Sequence, residues 1–259
     1  MTLAGEERVR VFTAANRKYA RLVAAWLGQV RRLGLEPTVF DLGGLGFGAS
    51  RPVDDAKFHA HGQYTTTDPN GHARALHKPD IVAEHLERLG SGWYLDADAL
   101  PVAPLEAPPG ECDIAVTVRR PTEVLLERRT ARWGWINAGV MYLRRTKPTL
   151  EFVSMWQERT VAMGNDQRAL NDLLGTDLPR DGVVIERAGL RVACLSTDIF
   201  NFYYFRERPP PGVRVLHLKN GRWRHALRAG MLSPTLDLER LSEPAPPRFR
   251  WTEPVRMGA

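Results

Sequence analysis

The segment Trp93-Tyr94-Leu95-Asp96-Ala97-Asp98-Ala99-Leu100 runs from aromatic and aliphatic residues into two carboxylates one residue apart. Its apolar half is bounded by Gly92 and Pro101 and has the length of a buried strand. Two acids at the carboxyl end of such a strand share one crevice. That is costly unless a cation neutralises them. Carboxylate oxygens with open coordination positions suit Mg²⁺ or Mn²⁺ holding a diphosphate. A DxD by itself is short enough to arise by chance, and an ordinary solvated loop is the plain alternative.

The elements that must position these acids read as α/β. Val9 to Thr13 is a strand, and a polar turn, Ala14 to Arg17, follows it. Apolar residues from Tyr19 to Leu33 then recur at helical spacing, with Gly34 as terminator, and Pro37 to Leu42 is a second strand. This βαβ start predicts parallel strands with a right-handed crossover. Further helices are expected over Pro79–Leu89, Thr149–Val161 and Asp166–Leu174. Further strands are expected at Asp113–Val118, Asn137–Leu143, Val183–Ile185, Leu190–Leu195 and Val213–Leu218.

The run Gly43-Gly44-Leu45-Gly46-Phe47-Gly48 follows the second strand and opens no helix, so it reads as a loop and not as a dinucleotide fingerprint. No GxxxxGK[ST] is present. Residues 49–77 are polar, irregular and carry His59, His61, His72 and His77 without acid or cysteine at ligand spacing. A loop closing over a site is the expectation there.

Composition narrows the classes. The 259 residues are 43% hydrophobic and 25% charged, normal for a globular domain. The expected division is one domain over 1–242 and a Pro-rich tail over 243–259. Cys112 and Cys194 form no CxxC, so neither a disulfide framework nor a zinc ribbon is indicated. No apolar run reaches the ~20 residues of a membrane span. Met1 to Glu7 lacks a signal-peptide pattern, so a cytoplasmic location is expected. The net charge of +6 favours an anionic partner, but the basic residues come in pairs such as Arg119-Arg120, so nucleic acid is an unlikely one.

Four segments join the DxD in a fixed order: Thr13-Ala14-Ala15-Asn16 with Tyr19, Asn137-Ala138-Gly139-Val140-Met141, Asp166-Gln167-Arg168-Ala169-Leu170-Asn171, and Leu216-His217-Leu218-Lys219. Together they resemble the GT-A glycosyltransferases, most closely glycosyltransferase family 8, the glycogenin and galactosyltransferase-like enzymes. The resemblance spans about Val9 to Arg224. It implies a Rossmann-like GT-A fold, a mixed sheet flanked by helices, and a nucleotide diphosphate sugar donor, UDP-linked, with Mn²⁺ or Mg²⁺. Thr13, Ala14, Asn16 and Tyr19 would form the nucleotide loop, at the carboxyl end of the first strand where ligands of such sheets bind.

Asp96, Asp98 and His217 would hold the metal, with Asp96 and Ala97 also near the ribose or sugar. Lys78 would contact the DxD or the diphosphate. Asn137 and Gly139 would line the sugar pocket. Asp166 and Gln167 would face the donor sugar, in a motif that in similar families accompanies retention of anomeric configuration. Asp166 could equally be a helix N-cap. Lys219, Arg222 or Arg224 would neutralise the leaving diphosphate. Here the chain departs from the family's usual small Gly-containing turn and Lys-Pro-Trp, reading Asn220-Gly221-Arg222-Trp223-Arg224.

Trp133, Trp135 and Phe200–Phe205 would offer an acceptor platform, or simply pack in the core. The acceptor itself is not specified. The competing readings are a non-catalytic nucleotide- or partner-binding module on the same fold, a haloacid-dehalogenase-like phosphatase, and a sugar-1-phosphate nucleotidyltransferase. The phosphatase would carry its DxD near the N-terminus, and the nucleotidyltransferase would carry a Gly-rich, Arg-containing loop after the first strand.

Overall fold

The computed structural model describes residues 8–42, 45, 50–52, 78–108, 111–126, 133–204, 207–219, 222 and 226. Of the expected lid over 49–77 all but residues 50–52 lie outside the described residues, as do its four histidines, Arg224 and the Pro-rich tail.

The chain opens with β1 (Arg10–Ala15), a 3-10 turn (Arg17–Tyr19), α1 (Ala20–Arg32) and β2 (Glu36–Asp41), followed by β3 (Ser50–Pro52). Then come α2 (Lys78–Arg88), β4 (Gly92–Leu95), β5 (Ala99–Pro101), β6 (Ile114–Val118) and α3 (Pro121–Leu126). The remainder is β7 (Ile136–Leu143), α4 (Lys147–Met163), α5 (Asp166–Leu174), β8 (Val184–Arg187), β9 (Leu190–Ser196), α6 (Thr197–Phe200) and β10 (Val215–His217). The main sheet has the order β3-β2-β1-β4-β7-β6-β9-β8, and β10 and β5 form a separate pair. β1 runs parallel to β2 and β4, whereas β7 is antiparallel to β4 and β6, so the sheet is mixed. Among the described residues no helix is long and apolar enough to cross a membrane.

The central strands are buried on both faces, and helices cover each side. On one side α1 packs Leu22, Val23, Trp26, Leu27 and Val30 against Val11, Trp93 and Leu95. On the other, α2, α4 and α5 bring Ile81, Leu86, Phe152, Trp156 and Leu170 against Phe12, Tyr94 and Met141. Alternation along the strands sends Val11 and Phe12 to opposite sides, as the two-residue strand period requires.

Two local features shape the centre. The β6–β7 register slips between Val116 and Thr117, which face Met141 and Asn137 respectively. Ala138, Gly139 and Val140 therefore bulge out of the pairing with β6, while Val140 stays paired with Leu95 of β4. The Trp26 indole N–H donates to the Ala99 carbonyl (3.2 Å), tying α1 to β5 just beyond the acids.

The structure corrects several boundaries. The stretch read as irregular after residue 49 contains β3, which extends the sheet beside β2. β5 and α3 carry no sequence signal strong enough to announce them: one is three residues with a terminal proline, the other six residues begun by Pro121. The helix expected from Thr149 starts at Lys147, because the Thr146 hydroxyl caps the Thr149 N–H and Pro148 sits in the first turn, where its missing N–H costs nothing. The strand expected at Val183–Ile185 is Val184–Arg187, and the late strand shortens to Val215–His217.

Trp26 is fully buried. Trp26→Ala is expected to lower the unfolding free energy by about 3–5 kcal/mol, read from urea denaturation, since it leaves a large cavity and an unpaired Ala99 carbonyl.

Candidate active site

The acids of the DxD follow β4 and are held by backbone. The Asp96 N–H donates to Gly139 O and the Ala99 N–H to Asp96 O, both at 2.8 Å, which closes a tight turn around Ala97 and Asp98. β5 leaves that turn and pairs antiparallel with β10, matching Ala99 with His217. The Leu218 N–H donates to Asp98 O at 2.7 Å. This short pairing carries a histidine from the far end of the chain to the acids.

His217 Nε2 lies 3.1 Å from Asp98 Oδ1 and 3.8 Å from Asp96 Oδ2. One ligand atom from each of Asp96, Asp98 and His217 falls within 4.8 Å of the others. Two carboxylate oxygens and an imidazole nitrogen suit Mn²⁺ or Mg²⁺, the imidazole favouring the former. Gly139 makes the approach possible: a Cβ there would collide with the His217 ring and stand 2.8 Å from Asp96 Oδ2.

The other oxygen of Asp96 faces away from this group. Asp96 Oδ1 accepts from the Tyr94 hydroxyl (2.9 Å) and lies 3.0 Å from Lys78 Nζ. The same ammonium donates to Ala138 O at 2.9 Å and stands 3.1 Å from Asp166 Oδ2. Lys78 thus spends its charge on both acids and its third contact on the bulge carbonyl.

The electrostatics follow. Burial opposes the Lys78 charge, but Asp166 and Asp96 outweigh it and hold the ammonium well above its ordinary range. Burial also opposes the Asp96 charge, yet Lys78 and His217 bring its carboxyl below the usual range. Asp166 is raised, because burial there exceeds the pull of Lys78. Asp166 is the first residue of α5 but not its cap: the Asn165 side chain accepts from the Arg168 N–H, leaving Asp166 to face Lys78. Its carbonyl accepts from the Trp156 indole at 2.8 Å. The Gln167 amide spans Trp133 O (3.3 Å) and Ala138 N–H (3.4 Å), joining α5 to the bulge.

Asn137 is buried beside these groups; its Oδ1 accepts from the Gly139 N–H (3.0 Å), and its Nδ2 has no partner among the described residues. Thr13, Ala14, Asn16 and Tyr19 form a separate group at the carboxyl end of β1, the strand next to β4. Thr13 is fully buried with its hydroxyl lacking a described partner, and Asn16 is nearly so. Tyr19 is partly buried against the α1 core. Lys219 Nζ sits 3.8 Å from the Tyr203 ring centroid. Burial, and then Arg119, push its pKa down to about 7. Arg222 is half-buried, with its N–H on Lys219 O at 3.1 Å.

The aromatic side chains of the expected platform are, where described, engaged in packing and hydrogen bonds, and Phe205 lies outside the described residues. Phe202 is wholly buried, and Phe200 stacks on Trp93 with centroids 5.8 Å apart. The Tyr203 and Tyr204 hydroxyls both donate to Glu123, at 2.7 and 2.6 Å. Trp135 packs partly buried against the α5 side, and Trp133 contributes its carbonyl to Gln167. Such a run has the residue types of a binding face and of a core, and Glu123, which decides the matter for the tyrosines, is remote in sequence.

Sequence reading also missed Asn201, whose Oδ1 meets His217 Nδ1 at 2.7 Å, and Asn171, which pairs with both the N–H and the carbonyl of Ile136. Asn171 was visible in its motif, but nothing in the sequence marks Asn201.

A family model for nucleotide-diphospho-sugar transferases matches residues 111–217. No curated protein matches the chain by sequence. The structure is similar to that of LgtC, a galactosyltransferase solved with donor and acceptor sugar analogues. That match has a TM-score of 0.55 and 19% identity, covering 90% of this chain and 100% of the other. The chain has the GT-A fold. A glycosyltransferase involved in glycosylation of the major capsid of PBCV-1 matches with a TM-score of 0.52 and 13% identity, over 86% of this chain and 100% of that one. The mixed sheet of this GT-A chain, with β7 reversed at its centre, is the feature that sets its DxD against the β7 bulge.

Lys78→Met should cost about 3–5 kcal/mol in urea unfolding at neutral pH, since it strands buried Asp166 and partly buried Asp96 without their cation. Adding Asp166→Leu should recover part of that loss, because it removes one stranded charge.

Proposed function

We propose that this protein is a metal-dependent glycosyltransferase that moves a sugar from a nucleotide diphosphate donor, UDP-linked, to an acceptor nucleophile with retention of anomeric configuration. The single observation that carries the reading is the meeting of Asp96, Asp98 and His217 beside the Lys78–Asp166 pair. The UDP preference rests on the family resemblance of the nucleotide loop at Thr13–Tyr19.

Asp96 Oδ2, Asp98 and His217 Nε2 would hold Mn²⁺ or Mg²⁺, which when bound supplies Lewis-acid stabilisation of the departing diphosphate. The chain's own residues do the rest. Asn16 and Tyr19 receive the nucleoside at the end of β1. The unpartnered Asn137 Nδ2 is a buried donor that a sugar hydroxyl would satisfy. Lys219 and Arg222 stand on the stretch following β10, where a cation opposes the growing charge of the leaving group.

Asp166 and Gln167 face the sugar as fixed electrostatic supports for a positively charged anomeric centre. Asp96 and Asp166 are both engaged by Lys78, and neither oxygen in contact with it is open to an acceptor hydroxyl. A reaction in which the leaving oxygen takes the acceptor proton on the same face needs no carboxylate base, and it retains configuration.

Two experiments test this reading. Calorimetry with UDP and Mn²⁺ should show Mn²⁺-dependent binding that is lost in Asp98→Ala while the fold, read by circular dichroism, is kept. Unchanged affinity would overturn the metal assignment. NMR of the product's anomeric proton should show an α-linkage from an α-donor. A β-product would refute retention, and binding without turnover or donor hydrolysis would favour the non-catalytic module.

A further inference from the structure

We propose that Asn201 is a positioning residue for the metal site: its side-chain oxygen fixes a proton on His217 Nδ1 and so turns Nε2, the nitrogen left for a metal, toward Asp98 and Asp96. The proposal rests on the metal reading of the preceding section and adds a residue to it.

His217 is nearly buried, so its ring orientation is set by protein and not by water. Its Nδ1 meets Asn201 Oδ1 at 2.7 Å. An asparagine can present either its oxygen or its nitrogen to a ring, and the two choices impose opposite tautomers. The next contact decides between them. Asn201 Nδ2 lies 2.9 Å from Thr117 Oγ1. The Thr117 hydroxyl hydrogen is directed to backbone carbonyls, Asn137 O at 2.9 Å with Val140 O at 3.3 Å. The hydroxyl oxygen is therefore left to accept, which it does from the Asn201 amide N–H. That choice points Oδ1 at His217 and requires a hydrogen on Nδ1.

The relay Asn137 O–Thr117–Asn201–His217 starts beside the β7 bulge and ends at Nδ1, the ring nitrogen turned away from the acids. Asn201 and Thr117 are wholly buried. Asn201 sits at the C-terminal end of α6, beside Phe202, whose backbone bonds to Val215 and His217 hold this segment against β10. The residue that orients the ring and the strand that delivers it are thus one packed unit. Outer partners of a metal-bound histidine act in this way, fixing tautomer and ring direction.

The test uses the full-length protein. In metal-free protein with ¹⁵N-labelled histidine, two-bond ¹H–¹⁵N spectra should show His217 Nδ1 as a protonated nitrogen. In parallel, Mn²⁺ alone is titrated calorimetrically into wild type, Asn201→Leu, Asn201→Asp and Thr117→Val. Asn201→Leu removes the acceptor while keeping the branched shape and should weaken Mn²⁺ binding by about 10–100-fold. Asn201→Asp keeps an acceptor at Nδ1 and should restore affinity, which a purely space-filling role would not require. Thr117→Val leaves Asn201 in place and should weaken binding less than Asn201→Leu; it also gives a readout if the leucine variant folds poorly.

A bare Nδ1 in the wild-type spectrum would overturn the proposal. Equal Mn²⁺ affinity in wild type and Asn201→Leu would overturn it and leave the metal reading intact. Absence of Mn²⁺ binding in wild type would overturn the metal reading, and with it the purpose assigned to Asn201, whatever the nitrogen spectrum shows.

Discussion

Negative charge gathered at the carboxyl end of a central buried strand is the constraint on which this structure turns. Asp96, Asp98 and Asp166 converge beside the carboxyl end of β4, where desolvation of each is costly. Lys78 answers part of that charge by reaching both Asp96 and Asp166 at hydrogen-bonding distance. It leaves Asp98 and the second oxygen of Asp96 facing His217, a group of three that could hold a divalent ion. One cation is built into the fold, and the same electrostatic demand that shapes the core also sets what these three residues face.

Meeting that demand requires the backbone to depart from regularity. The slip between β6 and β7 pushes Ala138–Val140 out of one ladder, which presents the Ala138 carbonyl to Lys78 and the side-chain-free Gly139 to His217 and Asp96. α5 then closes over the bulge through Gln167 and Asn171, while the Trp156 indole holds the Asp166 carbonyl. Asp166 is therefore held on a helix, and Asp96 and Asp98 on a short turn whose backbone is bonded to β7 and to the residue after β10.

Much of the fold was legible because its strands and helices follow simple periods. The βαβ start, the buried strands at Trp93 and Asn137 and the helices near residues 80, 150 and 170 emerge with small shifts at their ends. The pairing of β5 with β10 was not legible: each is three residues long, and their contact spans more than a hundred positions. At the site, the acids stood out by their placement after an apolar run, and Gly139 and His217 by their place in an ordered set of motifs. Asn201 did not, since asparagine is common and its meaning comes only from what it touches. Asp166 shows the limit of local reasoning. At a helix start an acid reads as a cap, and only the fold shows that Asn165 caps while Asp166 pairs with Lys78. The aromatic run at 200–204 went the other way, its binding-face character giving way to burial and to Glu123.

The central claim is that Asp96, Asp98 and His217 form one metal site. The most direct measurement is a crystal of the protein grown with Mn²⁺ and a nucleotide sugar, with diffraction recorded on both sides of the manganese absorption edge. The account predicts an anomalous peak bonded to Asp98, to the Asp96 oxygen turned away from Lys78, and to His217 Nε2, with the diphosphate completing its coordination. A bound donor with no manganese peak among these three residues, or with His217 still hydrogen-bonded directly to Asp98, would contradict it.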